Sequence, residues 1–137
     1  SNTSYSFYIH NSYRKNIGKI ISFLEYSSDI KNKEIDNLAK NLCMHIAAMK
    51  PESIDIDDLD KNLIENEKKI QRELILNSGK PSNIVEKILD GKMNKFFSDV
   101  TLFNQSYILD QDKTVAEIIN KYSENNFKLI SFELINL

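Results

Sequence analysis

Three groups of side chains in this sequence could carry chemistry, and the first is the Cys-x-His pair Cys43 and His45. Residues two apart on a helix point about 200° away from each other, so this pair cannot share one metal ion. Cys43 lies on the apolar stripe of its predicted helix and is expected to be a buried thiol. His45 lies off that stripe, and we predict that it is a partly exposed helix residue.

The second group is a cluster of four aspartates: Asp55, Asp57, Asp58 and Asp60. An EF-hand loop that began at Asp55 would need an oxygen ligand at its fifth position, glycine at its sixth and glutamate at its twelfth. Those positions hold Leu59, Asp60 and Asn66, so the calcium hypothesis fails. An acidic turn at the start of a helix fits better, because the helix macrodipole is positive there. We predict no metal site and no cofactor for this chain.

The third group consists of His10 and the segment Tyr107-Ile108-Leu109. His10 closes a predicted strand just before a polar loop, where an imidazole is accessible. The other three residues place bulky side chains in an irregular segment, and exposed apolar side chains on a loop indicate an interaction site. The alternative, that they cap the core, stays open.

Composition excludes several classes of function. With 137 residues, 41% of them hydrophobic and 28% charged, the chain can bury one modest core. The glycines Gly18, Gly79 and Gly91 are too far apart to form a phosphate-binding loop. A net charge of -2 at pH 7 is unlike the positive field of a nucleic-acid binder. No Ser-His-Asp, Cys-His or paired-carboxylate pattern stands out, so we do not predict an enzyme.

Alternating apolar residues predict the strands of the body. Residues 5–10 and 17–26 form two antiparallel strands joined by a polar loop at 11–16, and residues 127–134 form a last strand. Apolar residues at steps of three and four over residues 34–49 predict a helix that lies on these strands and ends before Pro51. A second, shorter helix is expected over residues 112–122.

The middle of the chain predicts two longer helices. The first runs from about residue 57 to 77, with an apolar seam formed by Leu59, Leu63, Ile70 and Leu74. The turn at 78–81 places Gly79 at a left-handed helix end, and a return helix covers residues 81–98. So tight a connection makes the helices antiparallel, as a hairpin or short coiled coil.

These elements together predict an α+β fold, in which helices cover a three-stranded antiparallel sheet and an antiparallel helical hairpin is inserted. We assign residues 3–54 and 99–137 to the core subdomain and residues 55–98 to the coiled-coil hairpin. From the residues alone, the chain is a binding module. A homo-oligomerisation module built on the hairpin is the alternative.

A string of short motifs runs through residues 5–134. The motifs are Tyr8-Ile9-His10, Met44-His45-Ile46-Ala47-Ala48, Lys50-Pro51-Glu52, Ser78-Gly79-Lys80-Pro81, Ile84-Val85-Glu86-Lys87-Ile88, Gly91-Lys92-Met93-Asn94-Lys95-Phe96, Asp112-Lys113-Thr114-Val115 and Phe132-Glu133-Leu134. In order and spacing, they resemble the elongation factor Ts family of bacteria and organelles.

The resemblance implies a guanine nucleotide exchange factor that acts on elongation factor Tu by non-covalent binding. It implies that this chain is the C-terminal half of the core, the dimerisation domain, without the N-terminal helical domain and the N-terminal half of the core. By position, the contacts with elongation factor Tu fall on His10, Tyr107, Ile108 and Leu109. A homodimer is a further expectation. Direct nucleic-acid or membrane contacts are not expected, and the location is the bacterial cytoplasm or an organelle of bacterial origin.

The chain also departs from the family's pattern. Asn11-Ser12-Tyr13 stands where the family has glycines after the histidine, and Gln105-Ser106-Tyr107 replaces Gln-Pro-Phe. The Thr-Asp-Phe-Val motif, which in the family disturbs the magnesium and phosphate site of the GTPase, does not occur in this sequence. This half is therefore expected to supply docking more than exchange.

Overall fold

The computed structural model describes residues 2–10 and 19–137, and its α+β architecture confirms the predicted fold class. The predicted loop at 11–16 and the predicted start of the second strand at 17–18 lie outside the described residues. In chain order the elements are β1 (Asn2–His10), β2 (Ile20–Ser28), α1 (Lys33–Met49), α2 (Lys61–Asn77), α3 (Ser82–Val100), β3 (Ser106–Tyr107), β4 (Asp110–Thr114), α4 (Val115–Asn120) and β5 (Lys128–Asn136), with 3-10 turns at Ile56–Asp58, Leu102–Asn104 and Ser123–Asn125.

The main sheet is antiparallel with the strand order β1-β2-β5. A bulge interrupts the pairing of β2 with β5: Glu25 lies opposite Ser131, but the next residue, Tyr26, lies opposite Leu129. Ile130 is therefore an extra residue, and it reverses the alternation of β5. As a result, Leu129 and Phe132 both contact the core, although strict alternation along a strand would place them on opposite faces.

Helix α1 covers one face of this sheet and supplies the centre of the core. It begins after its N-cap residue Asn32, whose side chain accepts a hydrogen bond from the N–H of Ile35 at 2.9 Å. It ends at Lys50, whose backbone has the left-handed conformation. The predicted apolar stripe is confirmed from Ile35 to Ala47, where its residues are buried against β1 and β2, but Met49 at its end is 44% exposed. The opposite face of the sheet is open, and Tyr5, Phe7 and Ile9 are exposed there.

The aspartate cluster caps the start of the helical hairpin. Asp58 accepts hydrogen bonds from the N–H groups of Ile54 and Asp55 at 3.0 and 2.7 Å, within a 3-10 turn. Asp60 caps α2 by accepting the N–H of Asn62 at 2.9 Å. Helix α2 thus begins at residue 61 and not at 57, because the first aspartates close a separate turn.

Helices α2 and α3 form a hydrophobic cluster separate from the core of the body. The turn between them contains Gly79 at a φ of +79°, as predicted for a left-handed helix end. The predicted seam of α2 is wrong at Ile70 and Leu74, which are both more than half exposed. Helix α2 instead contributes Ile64 and Ile75. The cluster consists of Ile75, Val85, Leu89 and Met93, with Ile64, Ile88, Phe96 and Phe97 packed against it.

The predicted helix at 112–122 is wrong at its start. Residues 110–114 form β4, which pairs with the two-residue strand β3, so α4 begins only at Val115. A capping box sets this boundary: the Thr114 hydroxyl accepts the N–H of Glu117 at 3.2 Å, and the Glu117 carboxylate accepts the N–H of Thr114 at 3.3 Å. Since Tyr107 pairs with Asp110, the connection between β3 and β4 is the turn Ile108–Leu109.

Within the part of the chain that the structure describes, no helix is both long and apolar enough to cross a bilayer.

Candidate functional site

The turn between β3 and β4 contains the three apolar residues that the sequence singled out, and the structure places them differently. Tyr107 is 5% exposed and belongs to the core cluster of the body. Ile108 is half-buried, whereas Leu109 is 54% exposed. Both open alternatives therefore apply to part of the segment: Tyr107 caps the core and is not available as a surface contact, and Leu109 is available to a partner.

His45 holds this turn, which corrects the prediction that it is a partly exposed helix residue. Its side chain is 0% exposed. Its Nε2 lies 2.9 Å from Oε1 of Gln105, and its Nδ1 lies 3.3 Å from the backbone nitrogen of Ile108. The imidazole also stacks on the ring of Tyr107, with 5.8 Å between the ring centroids and 26° between their planes.

The partners of Gln105 fix the position of each proton in this network. Gln105 is buried, and its Nε2 donates to the backbone carbonyl oxygens of Asp99 at 2.9 Å and Met49 at 3.3 Å. Carbonyl oxygens only accept, so Oε1 of Gln105 must face His45 and accept from its Nε2–H. The Ile108 N–H only donates, so Nδ1 of His45 carries a lone pair. The ring is thus a neutral imidazole protonated on Nε2.

The surroundings of His45 favour this neutral form. Burial of the ring lowers the pKa of His45, and the hydrogen bond to Gln105 opposes part of that shift. Since an unperturbed imidazole titrates at about 6.5, the ring is uncharged at pH 7. In this state both ring nitrogens have a partner of the correct polarity.

A spacing signal for the burial of His45 was present in the sequence. His45 follows Leu42 by three residues and Leu38 by seven, so it lies on one flank of the buried stripe of α1. Although His45 points about 200° away from Cys43 around the helix axis, it is not on the solvent side. The segment that contains Gln105 and Ile108 packs on that flank of α1. Nothing in the local sequence of Gln105, sixty residues further on, indicates that it supplies the partner.

His10 lies at the end of the body where the C-terminal turns of α1 are found. In β1, Tyr8 contacts the core, so His10, two residues on, lies on the face of the sheet that α1 covers. The hydroxyl of Ser22, which pairs with Tyr8, donates to the carbonyl oxygen of Cys43 at 2.6 Å. His10 itself is exposed. The structure therefore places His10 at the same end of the body as His45, which binds the Ile108–Leu109 turn.

The remaining chemical candidates have structural roles. Cys43 is fully buried, as predicted, and burial raises the pKa of its thiol. Among residues 2–10 and 19–137, no group of three or more histidine, cysteine, aspartate or glutamate side chains is arranged to hold a metal ion. The site that the geometry defines is a surface turn held by a buried polar network.

The family comparison matches this chain over almost its entire length: residues 1–136 fit the family described as Elongation factor TS. The chain belongs to the elongation factor Ts family. Among its curated relatives, the elongation factor Ts of Ehrlichia ruminantium (strain Welgevonden) is 35% identical over 130 residues, which are 93% of this chain and 45% of the relative.

Two Rickettsia relatives give the same result. The elongation factor Ts of Rickettsia prowazekii (strain Madrid E) is 41% identical over 120 residues, covering 87% of this chain and 39% of the relative. That of Rickettsia akari (strain Hartford) is 42% identical over 113 residues, covering 82% and 37%. The chain therefore spans less than half the length of these relatives, and it corresponds to the C-terminal part of elongation factor Ts.

Proposed function

We propose that this chain is the docking half of an elongation factor Ts, which binds elongation factor Tu and contributes to guanine-nucleotide exchange on it. The observation that carries the proposal is the Ile108–Leu109 turn: it exposes Leu109, is anchored by Tyr107, and lies at the same end of the body as His10. His10, Ile108 and Leu109 make the contacts, and Tyr107 supports them from the core.

The proposed mechanism needs no covalent chemistry. A factor that binds the nucleotide-free GTPase more tightly than the nucleotide-bound form weakens nucleotide binding by the same factor. Because this chain contains no Thr-Asp-Phe-Val motif, we assign it affinity for the GTPase and not the disturbance of its magnesium site. In this proposal residues 3–54 and 99–137 form the docking body, and residues 55–98 form a coiled-coil hairpin that approaches the GTPase domain.

A matched pair of variants tests the docking turn. Burying the exposed half of Leu109 is worth about 1–1.5 kcal/mol, or about tenfold in affinity. Leu109→Asp loses this contribution and buries a carboxylate, so we expect affinity for elongation factor Tu to fall tenfold or more in isothermal titration calorimetry. Ile30→Asp is the control, because Ile30 is 45% exposed and follows β2 at the opposite end of the sheet.

Nucleotide release measured with a fluorescent GDP separates docking from exchange. We expect the chain to bind elongation factor Tu while accelerating GDP release only weakly. Strong acceleration of GDP release by this chain alone would contradict the proposal that this half of the factor supplies docking more than exchange. Absence of binding at low ionic strength, or equal loss of affinity in Leu109→Asp and Ile30→Asp, would contradict the docking assignment.

Self-association is a second candidate function, and the open face of the main sheet supports it better than the hairpin does. Opposite α1, this face carries neighbouring apolar side chains on all three strands, including Phe7 next to Phe23 with 6.3 Å between their ring centroids. Ile9, Ile21 and Ile135 lie in the adjacent row of the same register. Sheets with an apolar outer face commonly bury it against a second sheet.

Light scattering over a concentration series tests this candidate. If the open sheet face is the interface, Phe7→Lys produces a monomer and Leu74→Lys, on the exposed side of the hairpin, leaves the dimer intact. If Leu74→Lys produces a monomer and Phe7→Lys leaves the dimer intact, the interface lies on the hairpin instead. A chain that is strictly monomeric at all concentrations would exclude self-association altogether.

A further inference from the structure

We infer that His45 is the positioning residue of the docking turn: as a neutral imidazole it accepts the Ile108 N–H and holds Ile108 and Leu109 in place, and protonation of the ring releases the turn. This inference rests on the docking function proposed for that turn. His45 would not touch the partner. It would act through the backbone of Ile108.

The turn needs such a support because its own strands are short. Strand β3 has only two residues, and the register of its pairing with β4 is irregular between Ser106 and Tyr107. A hairpin of this size is not stable by itself in water. The contact of His45 Nδ1 with the Ile108 N–H, together with the burial of Tyr107, connects it to α1.

Gln105 extends the same connection to α3. Its amide bridges the carbonyl oxygen of Met49, the last residue of α1, and that of Asp99, near the end of α3. His45 completes this arrangement by donating to Gln105 Oε1. The docking turn, the end of α1 and the end of α3 therefore share one network in which each donor meets an acceptor, and buried networks of this kind fix a single geometry.

Protonation of His45 breaks the network at one defined bond. A charged imidazole carries a proton on both ring nitrogens, so Nδ1–H would face the N–H of Ile108, and two donors cannot bond each other. The groups that face the ring are the Gln105 amide, the Ile108 backbone and the Tyr107 ring; none of these described contacts is a charged side chain. Burial raises the pKa of Tyr107, so among these three groups it is the imidazole that takes up a proton as the pH falls.

Two variants distinguish positioning from mere packing. In His45→Asn, the amide oxygen is as many bonds from the backbone as Nδ1, so it can accept the Ile108 N–H, and it does not titrate. In His45→Gln, the amide group reaches the position of Nε2 and leaves the Ile108 N–H without an acceptor. We expect His45→Asn to keep affinity for elongation factor Tu within about threefold of the parent chain, and His45→Gln to lose about tenfold.

The pH profile provides the second test. As the pH is lowered below the ordinary imidazole pKa of about 6.5, the affinity of the parent chain relative to His45→Asn should fall because the imidazole takes up one proton. This ratio cancels titrations within elongation factor Tu itself. Ser28→Ala is the matched control, because it removes the hydrogen bond that the buried Ser28 hydroxyl donates to the carbonyl oxygen of Ile30, at the opposite end of the sheet. It should lower stability without changing affinity.

Measurements on the free chain keep this inference separate from the proposed function. Long-range proton–nitrogen NMR correlations should show the Nε2–H tautomer at pH 7.5, and exchange of the Ile108 amide should be faster in His45→Gln than in His45→Asn. A ring protonated on Nδ1, or equal Ile108 exchange in the two variants, would overturn the positioning role. Two binding results would also overturn it: a parent chain with the same affinity for elongation factor Tu and the same pH profile as both variants, or a loss of affinity in Ser28→Ala equal to that in His45→Gln. If the parent chain does not bind at all, the docking function fails while the NMR result still decides the positioning role.

Discussion

The hairpin of α2 and α3 offers a sharp quantitative test, because two adjacent residues of α2 differ widely in burial. Ile75 is 5% exposed and belongs to the hairpin cluster, whereas Leu74 is 59% exposed. Replacing a buried isoleucine by alanine costs about 2–5 kcal/mol. Because this cluster has only four buried members, we expect Ile75→Ala to cost about 2–3 kcal/mol and Leu74→Ala about 0.5 kcal/mol or less.

The comparison isolates burial from helix propensity. Both variants introduce alanine into the interior of the same helix, so any gain in helix propensity is similar in the two. Chemical unfolding followed by far-ultraviolet circular dichroism gives the free energy of unfolding, and amide hydrogen exchange within α2 detects opening of the hairpin alone.

A specific outcome would refute the packing described above. If Leu74→Ala costs as much as Ile75→Ala, then the face of α2 that packs on α3 is the one with Leu63, Ile70 and Leu74, as the sequence had suggested. The exposed position of Leu74 would then no longer be available to any partner of the hairpin.

Three further predictions concern the body. Because burial lowers the pKa of His45, the unfolded chain binds a proton that the folded chain rejects at low pH. The contribution of His45 to the free energy of unfolding should therefore be constant above about pH 7 and fall below about pH 6.5 by up to 1.4 kcal/mol per pH unit, and His45→Asn should lack this component in pH-dependent denaturation. Thr114→Ala should lose about 1 kcal/mol of stability in the same assay through its capping hydrogen bond, whereas Thr3→Ala, at an exposed strand position, should not. Cys43 should react with an aromatic disulfide only at the rate of unfolding, because it is fully buried; rapid labelling in native buffer would contradict its burial.

Local periodicity was sufficient to predict the element types of the body. The alternation around Phe7 indicates a strand, and the stripe of α1 indicates the helix that covers it. Periodicity does not say which face of a strand is covered, since it gives the spacing of side chains and not their neighbours. In β1 the more apolar face, with Tyr5, Phe7 and Ile9, is the open one, because α1 packs on the other side.

The errors fall where two local patterns competed. Helix α2 carries one apolar stripe through Ile70 and Leu74 and another through Ile64 and Ile75, and only the packing of α3 chooses between them. In β5 the bulge at Ile130 reverses the alternation, and no glycine or proline marks it. In β4 the sequence Asp110–Thr114 is polar and could begin a helix, but its pairing with β3 and the capping box at Thr114 delay the helix to Val115.

The candidate site was predictable in position but not in its support. Leu109 and His10 could be singled out because bulky apolar or titratable residues beside loops are unusual. The role of His45 could not be found in this way, because it depends on Gln105 and Ile108, which are about sixty residues away and meet it only in the folded chain.

The proposed function explains why such a support is useful. A docking turn that is mobile in the free chain loses entropy on binding, which weakens the complex by about 0.5–1.5 kcal/mol for each flexible side chain that is ordered. Here the ordering accompanies folding, because His45, Gln105 and Tyr107 fix the turn before any partner arrives. The same argument explains why a neutral polar network suits this position: it provides directional bonds, whereas a buried ion pair would add the desolvation of two charges. In the proposed function, a site that acts by non-covalent contact gains specificity from rigidity, and the imidazole of His45 is the group that would make this rigidity depend on pH.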